Sequence, residues 1–134
     1  MLEATLVKHF KQHVYSKYAS DGVDFFKHHQ TSYEVQGNPD IQIKMKKLPW
    51  TIYVEAKRYT TPEEAFAGLR PSQVGRIQCL LAVGALVYLL YHGGCAQFFV
   101  DNCRLSYTNI MDITPFSAFD THICKELSHD IATN

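Results

Sequence analysis

The chain has 134 residues, 46% of them hydrophobic and 13% aromatic, which is enough to build one compact core and argues against disorder. Thirteen basic residues balance thirteen acidic ones. That balance excludes a protein that coats nucleic acid through bulk charge, while leaving room for a local basic patch.

In chain order, residues 2–18 (LEATLVKHFKQHVYSKY) read as an amphipathic helix, because positions 3, 7, 10 and 14 fall on one stripe at helical period. Val7, Phe10 and Val14 make that stripe apolar, and Glu3 sits at its N-terminal end. Residues 19–32 are polar, with Asp21-Gly22 as a turn signal, and a short strand is expected around 33–36. A hairpin follows. Ile41, Ile43 and Met45 alternate with polar residues, as do Trp50, Ile52, Val54 and Ala56, and KKLP lies between the two runs. Thr61-Pro62-Glu63-Glu64 has the form of a helix start, with a short helix to about Ala67 closed by Gly68. Pro71-Ser72-Gln73 opens a second helix through about Ala82, with Val74, Ile77 and Leu81 on its buried side. Residues 85–91 read as an apolar strand, Gly93-Gly94 as a turn, 97–102 as a further strand, and the tail from Thr114 to His129 as a helix. The order predicts a single mixed α/β domain over 1–134, with no repeat or linker.

Cys79, Cys95, Cys103 and Cys124 form no CxxC pair and no zinc-like spacing with histidine. They read as free thiols of a reducing cytosol. The longest apolar run, at 80–91, is too short to span a bilayer. The early polar residues do not read as a signal peptide, so a cytoplasmic protein without membrane contact is expected.

The hairpin carries the chemistry. With its turn centred between Lys47 and Leu48, Ile41 faces Val54, Ile43 faces Ile52 and Met45 faces Trp50, all on one face. On the other face Asp40 falls opposite Glu55, and Lys57 leaves the same face two residues on. A one-residue slip would turn one apolar face over, so the register is well specified. Two close carboxylates repel each other unless a cation lies between them. Oxygen ligands suit a hard divalent ion, Mg²⁺ first and Mn²⁺ second. A D…ExK set at loose spacing fits a surface salt bridge as well. Three observations favour the metal: the Gly37-Asn38-Pro39 turn before Asp40, Gln73 at the start of the next helix, and Glu3 on the core stripe, where an unpaired acid is costly. Stabilisation of the helix dipole is the other reading of Glu3. Glu34, Glu63, Glu64, Asp101, Asp112 and Asp120 read as capping or surface acids.

Together GNPD at 37–40, VEAK at 54–57 and LRPSQ at 69–73 resemble the PD-(D/E)XK nuclease superfamily, in its VRR-NUC and archaeal-type Holliday junction resolvase branches. The resemblance covers residues 1–92 and leaves an unmatched extension over 93–134. It implies a restriction-endonuclease-like core of helix, three-stranded meander, helix and strand, with an extra C-terminal strand and helix. It implies that Asp40, Glu55 and the carbonyl of Ala56 bind Mg²⁺ (or Mn²⁺), that Glu3 serves a second metal or its water shell, that Lys57 acts on the attacking water, and that Gln73 orients Lys57 or a phosphate. The implied activity is metal-dependent endonuclease cleavage of DNA, structure-selective on branched substrates, by a homodimer of bacterial or phage origin.

Candidate DNA contacts are Lys27, His28, Lys44, Lys46, Lys47, Arg70 and Arg76. Strand 85–91 and Phe98-Phe99 are candidates for a dimer interface or for core. The alternatives are a flap, nicking or restriction-like nuclease on the same core, and a non-catalytic DNA-binding or assembly protein.

Overall fold

The computed structural model describes residues 3–27, 37–49, 51–110 and 119–125. One six-stranded sheet organises them. Its strands are β1 (Val23–Lys27), β2 (Ile41–Met45), β3 (Ile52–Ala56), β4 (Leu86–Tyr91), β5 (Gly94–Asp101) and β6 (Arg104–Ile110), and they lie side by side in chain order. Only the β3–β4 pair is parallel. A parallel pair needs a crossover, and here the crossover carries two helices, α2 (Pro62–Ala67) and α3 (Pro71–Ala82). The remaining helices are α1 (Glu3–Tyr18) and α4, a helical segment over 119–125. The mixed α/β class and the order helix, three-stranded meander, helix, strand are as expected.

Each face of the sheet has its own core. On one face Leu6, Val7, Phe10, Val14 and Tyr18 of α1 pack on Ile41, Ile43, Ile52, Val54 and Ala56, together with Phe119 and Ile123 of α4. Phe10 meets Phe119 edge-on, with ring centroids 4.9 Å apart. On the other face Ala65 of α2 and Ile77 and Leu80 of α3 cover Val87, Leu89, Tyr91, Ala96 and Phe98. Alternate residues of β3 therefore go to different layers: Val54 and Ala56 to the α1 side, Glu55 to the α3 side.

The hairpin register is the expected one, with Ile41 opposite Val54 and Ile43 opposite Ile52. The Met45–Trp50 pair falls partly outside the described residues. At α2, Thr61 caps the helix by accepting the Glu64 N–H at 3.3 Å, with Pro62 at the first position.

Several expectations are corrected. The first strand of the meander is β1, in the stretch read as polar loop. Among the described residues it pairs with β2 alone, and an edge strand of VDFFK gives a weak alternating signal. The strand expected at 33–36 lies outside the described residues. Among its described residues the extension holds two strands where one was expected. β5 and β6 are joined by a two-residue turn, Asn102-Cys103, with Asp101 paired to Arg104. Both turn residues have positive φ, 50° and 64°. Such turns favour Asn-Gly, so a cysteine in the second place concealed the hairpin. On α3 the fully buried residues are Gln73, Ile77 and Leu80, whereas Val74 and Leu81 are only partly covered. β4 is core rather than interface, buried from Val87 to Tyr91, and of the two phenylalanines only Phe99 is exposed. The described tail helix covers 119–125 of the expected 114–129. Asp120 is not a surface acid. It is buried and accepts hydrogen bonds from Tyr18 Oη at 2.5 Å and from His13 at 2.7 Å, which fastens α4 to α1.

Candidate active site

The candidate site forms where the Gly37–Asp40 turn, the end of β3 and the start of α3 converge. β2 begins at Ile41 and β3 ends at Ala56, so the antiparallel register brings Asp40 to the end of β3. Asp40 Oδ2 accepts a hydrogen bond from the Ala56 N–H at 3.1 Å, which fixes the carboxylate against the middle of Glu-Ala-Lys. β3 continues past its last paired residue, for the Lys57 N–H still reaches the Leu90 carbonyl at 2.9 Å.

Gln73 ties the cluster together. It lies at the third position of α3, where its Oε1 accepts the Arg70 N–H at 2.8 Å and so caps the helix. The same oxygen accepts a hydrogen bond from Lys57 Nζ at 3.2 Å. Its Nε2 donates to Glu55 Oε1 at 3.1 Å. Lys57 Nζ is also 3.9 Å from Glu55 Oε1. One amide thus spans a carboxylate and an ammonium, and all three side chains are held in a single geometry.

Burial bears on the salt-bridge reading of this set. Glu55 is 1% exposed and the Lys57 side chain 14%. A surface salt bridge is thereby excluded. Burying an acid is costly even when it is paired, so such a pair is weak evidence for a stabilising role. One residue past the last β3–β4 pair, Ala56 with Leu90, comes Tyr91, whose hydroxyl donates to Asn109 Oδ1 at 2.7 Å. Burial first, then the neighbouring Cys95 and Glu63, pushes its phenol above the ordinary range, so it stays neutral.

The turn is shaped by Gly37, whose φ is +84°. A Cβ there would lie 2.2 Å from the Ser72 carbonyl oxygen, so only glycine lets the turn rest on α3. Next to it, Asn38 Oδ1 accepts a hydrogen bond from Arg76 Nε at 2.7 Å. Sequence reasoning missed Asn38, and an asparagine inside a Gly-x-Pro turn was the available signal.

The other candidates are less tightly grouped. Glu3 opens α1, on the opposite face of the sheet. The far end of α1 leads through Gly22, whose carbonyl accepts the Lys46 N–H at 3.0 Å beside the hairpin turn. The N-terminal end of α1 therefore points toward the Asp40 end. Lys27 ends β1 opposite Ile41, also at that end. His28 lies outside the described residues. Lys44, Lys46 and Lys47 run toward the opposite end of the hairpin. Lys46 is six residues from Asp40, about 20 Å along a strand. Arg70 is exposed beside Gln73, whereas Arg76 is partly buried and engaged with Asn38.

Asp40 and Glu55 supply oxygen donors only. Among the described residues no three His, Cys, Asp or Glu side chains gather into a metal-binding group. A two-carboxylate set fits Mg²⁺, which keeps several waters and is held by one or two carboxylates plus phosphate oxygens. No described helix is long and apolar enough to cross a membrane.

No protein-family model matches the chain, and no curated protein matches it. Among solved structures it is similar to Archaeoglobus fulgidus Hjc, a Holliday junction resolvase from an archaeal hyperthermophile. The TM-score is 0.39 and the identity 11%, over 76% of this chain and 87% of that one.

Proposed function

We propose that this chain is a metal-dependent endonuclease that hydrolyses DNA phosphodiester bonds, with branched DNA as its substrate. The observation that carries the reading is the Gln73 bridge. It holds a buried glutamate and a lysine together at the strand end where the turn delivers Asp40. A binding module has no need of a buried acid locked to a lysine in this way.

In this reading Asp40 and Glu55 hold Mg²⁺ or Mn²⁺, with the Ala56 carbonyl as a third ligand and Glu3 toward a second ion or its waters. A bound divalent ion would make a water more acidic and screen the negative charge of the phosphodiester. Lys57 directs a hydrogen bond at the attacking water or at the oxygens that gain charge in the transition state. Gln73 fixes the Lys57 ammonium, so little reorganisation is needed when the substrate arrives. Arg70, exposed at the start of α3 beside Gln73, is the basic side chain this reading assigns to a phosphate.

A small domain has little room for a separate sequence reader, which favours recognition of DNA shape. Two equivalent cuts in a branched duplex need two sites, hence a homodimer. The test is cleavage mapping on a labelled four-way junction beside flap and linear duplex substrates. Paired cuts placed symmetrically about the branch support the resolvase form. Cutting confined to flaps or linear duplex would keep the nuclease and replace the substrate.

A further inference from the structure

The turn that carries Asp40 is fastened to α3 at two adjacent residues. Gly37 rests on the Ser72 carbonyl, and Asn38 Oδ1 takes the Arg76 Nε–H at 2.7 Å. Ser72 and Arg76 are four apart and share one face of α3. Gln73, on the same turn of helix, grips Glu55 and Lys57. The first two turns of α3 therefore hold both halves of the site. Asp40 is two residues beyond Asn38, and its carboxylate is held at the other side by the Ala56 N–H.

Arg76 is also a poor fit to a phosphate contact. It is partly buried, and its Nε is used inside the protein, whereas Arg70 stands exposed nearby. A guanidinium bond is planar and directional, suited to fixing one orientation of its partner.

We infer that Arg76 is a positioning residue: by holding Asn38 it fixes the Asp40 carboxylate and so sets affinity for a divalent cation, and it does not contact DNA. The inference rests on the proposed cation site. Without the bond, the turn around Asn38 has more conformations to choose from. The carboxylate then has to be ordered at the moment the ion binds, and affinity falls.

The test is Mn²⁺ titration calorimetry without DNA on wild type, Arg76→Ala, Arg76→Lys, Asn38→Ala and the double alanine variant, with thermal melts in EDTA as a check on folding. DNA binding in EDTA is measured across a salt series in parallel. Arg76→Ala and Asn38→Ala should each weaken Mn²⁺ binding roughly tenfold. The double variant should be no weaker than either single one, because one bond is lost in all three. Arg76→Lys should recover part of the affinity. DNA affinity in EDTA and its salt slope should not change. Unchanged Mn²⁺ affinity, additive losses, or a salt slope lower by about one phosphate would overturn the inference. Should Arg76→Ala fail to fold, Asn38→Ala removes the same bond from the turn side and decides the matter. A wild-type protein that binds no Mn²⁺ would sink the cation site itself, whereas wild-type binding matched by every variant would sink only the positioning role.

Discussion

Replacing Gln73 by alanine probes the centre of the site through stability alone, with no metal or DNA present. Gln73 is 4% exposed and makes three hydrogen bonds: from the Arg70 N–H at 2.8 Å, from Lys57 Nζ at 3.2 Å, and to Glu55 Oε1 at 3.1 Å. Two of the three involve charged groups, worth about 1.5–3 kcal/mol each, and the helix cap adds about 1 kcal/mol. Water can reach Lys57 once the amide is gone, which recovers part of its term. The expected loss is about 3–5 kcal/mol, a large share of a small domain's stability. Urea unfolding in EDTA, followed by circular dichroism, measures it directly. Gln73→Glu should be worse still, because a second buried acid would face Glu55. A loss below about 1 kcal/mol for Gln73→Ala would show that the amide does not hold the cluster, and the reasoning built on the bridge would fail.

Three further outcomes follow from the same geometry. Gly37→Ala should lose at least about 1–3 kcal/mol from its left-handed φ alone, plus the clash with the Ser72 carbonyl; a melt equal to wild type would contradict the close approach. Asp40→Asn should melt at the same temperature as wild type or higher in EDTA, since it removes like-charge repulsion, yet gain nothing from added Mn²⁺; a markedly destabilised metal-free variant would count against a shared cation site. Burial pushes the Cys95 thiol far above its ordinary 9.0, so the native protein should react with Ellman's reagent at Cys79, Cys103 and Cys124 but not at Cys95 until unfolded. The unfolded chain releases that proton more readily than the native one. The stability held by the neutral thiol is thus present below the ordinary thiol range and lost as pH rises above it, which melts between pH 8 and 10 would reveal.

How much was legible in the sequence follows from which forces act locally. The hairpin register and the meeting of Asp40 with the Glu-Ala-Lys strand were readable, because a slip would expose Ile41 and Ile43. The start of α2 was readable because Thr61 and Pro62 act within one turn of chain. The resemblance implied that Gln73 orients Lys57 or a phosphate, but the fact that a single amide also caps α3 and grips Glu55 was not foreseen, since that depends on how the crossover returns. Arg76 illustrates the limit. Its charge suggested DNA, and only the fold brings it to Asn38, 38 residues away. The Asn102-Cys103 turn hid β6 because cysteine at positive φ has no sequence signature. Asp120 looked like a surface acid because Tyr18 and His13 lie more than a hundred residues away in the chain.

The central claim is that Glu55 serves cleavage, not folding. Its most direct test compares wild type with Glu55→Gln on labelled four-way junction, flap, single-stranded and linear duplex DNA, in Mg²⁺, Mn²⁺ or EDTA. Glutamine keeps the size of the side chain and can still meet Gln73, so the variant should fold and bind DNA as wild type does. The account predicts that wild type cuts in Mg²⁺ and Mn²⁺ but not in EDTA, and that the variant cuts nothing under any condition. DNA binding without cleavage by wild type in every metal, with Glu55→Gln indistinguishable from it, would contradict the account and leave a binding module.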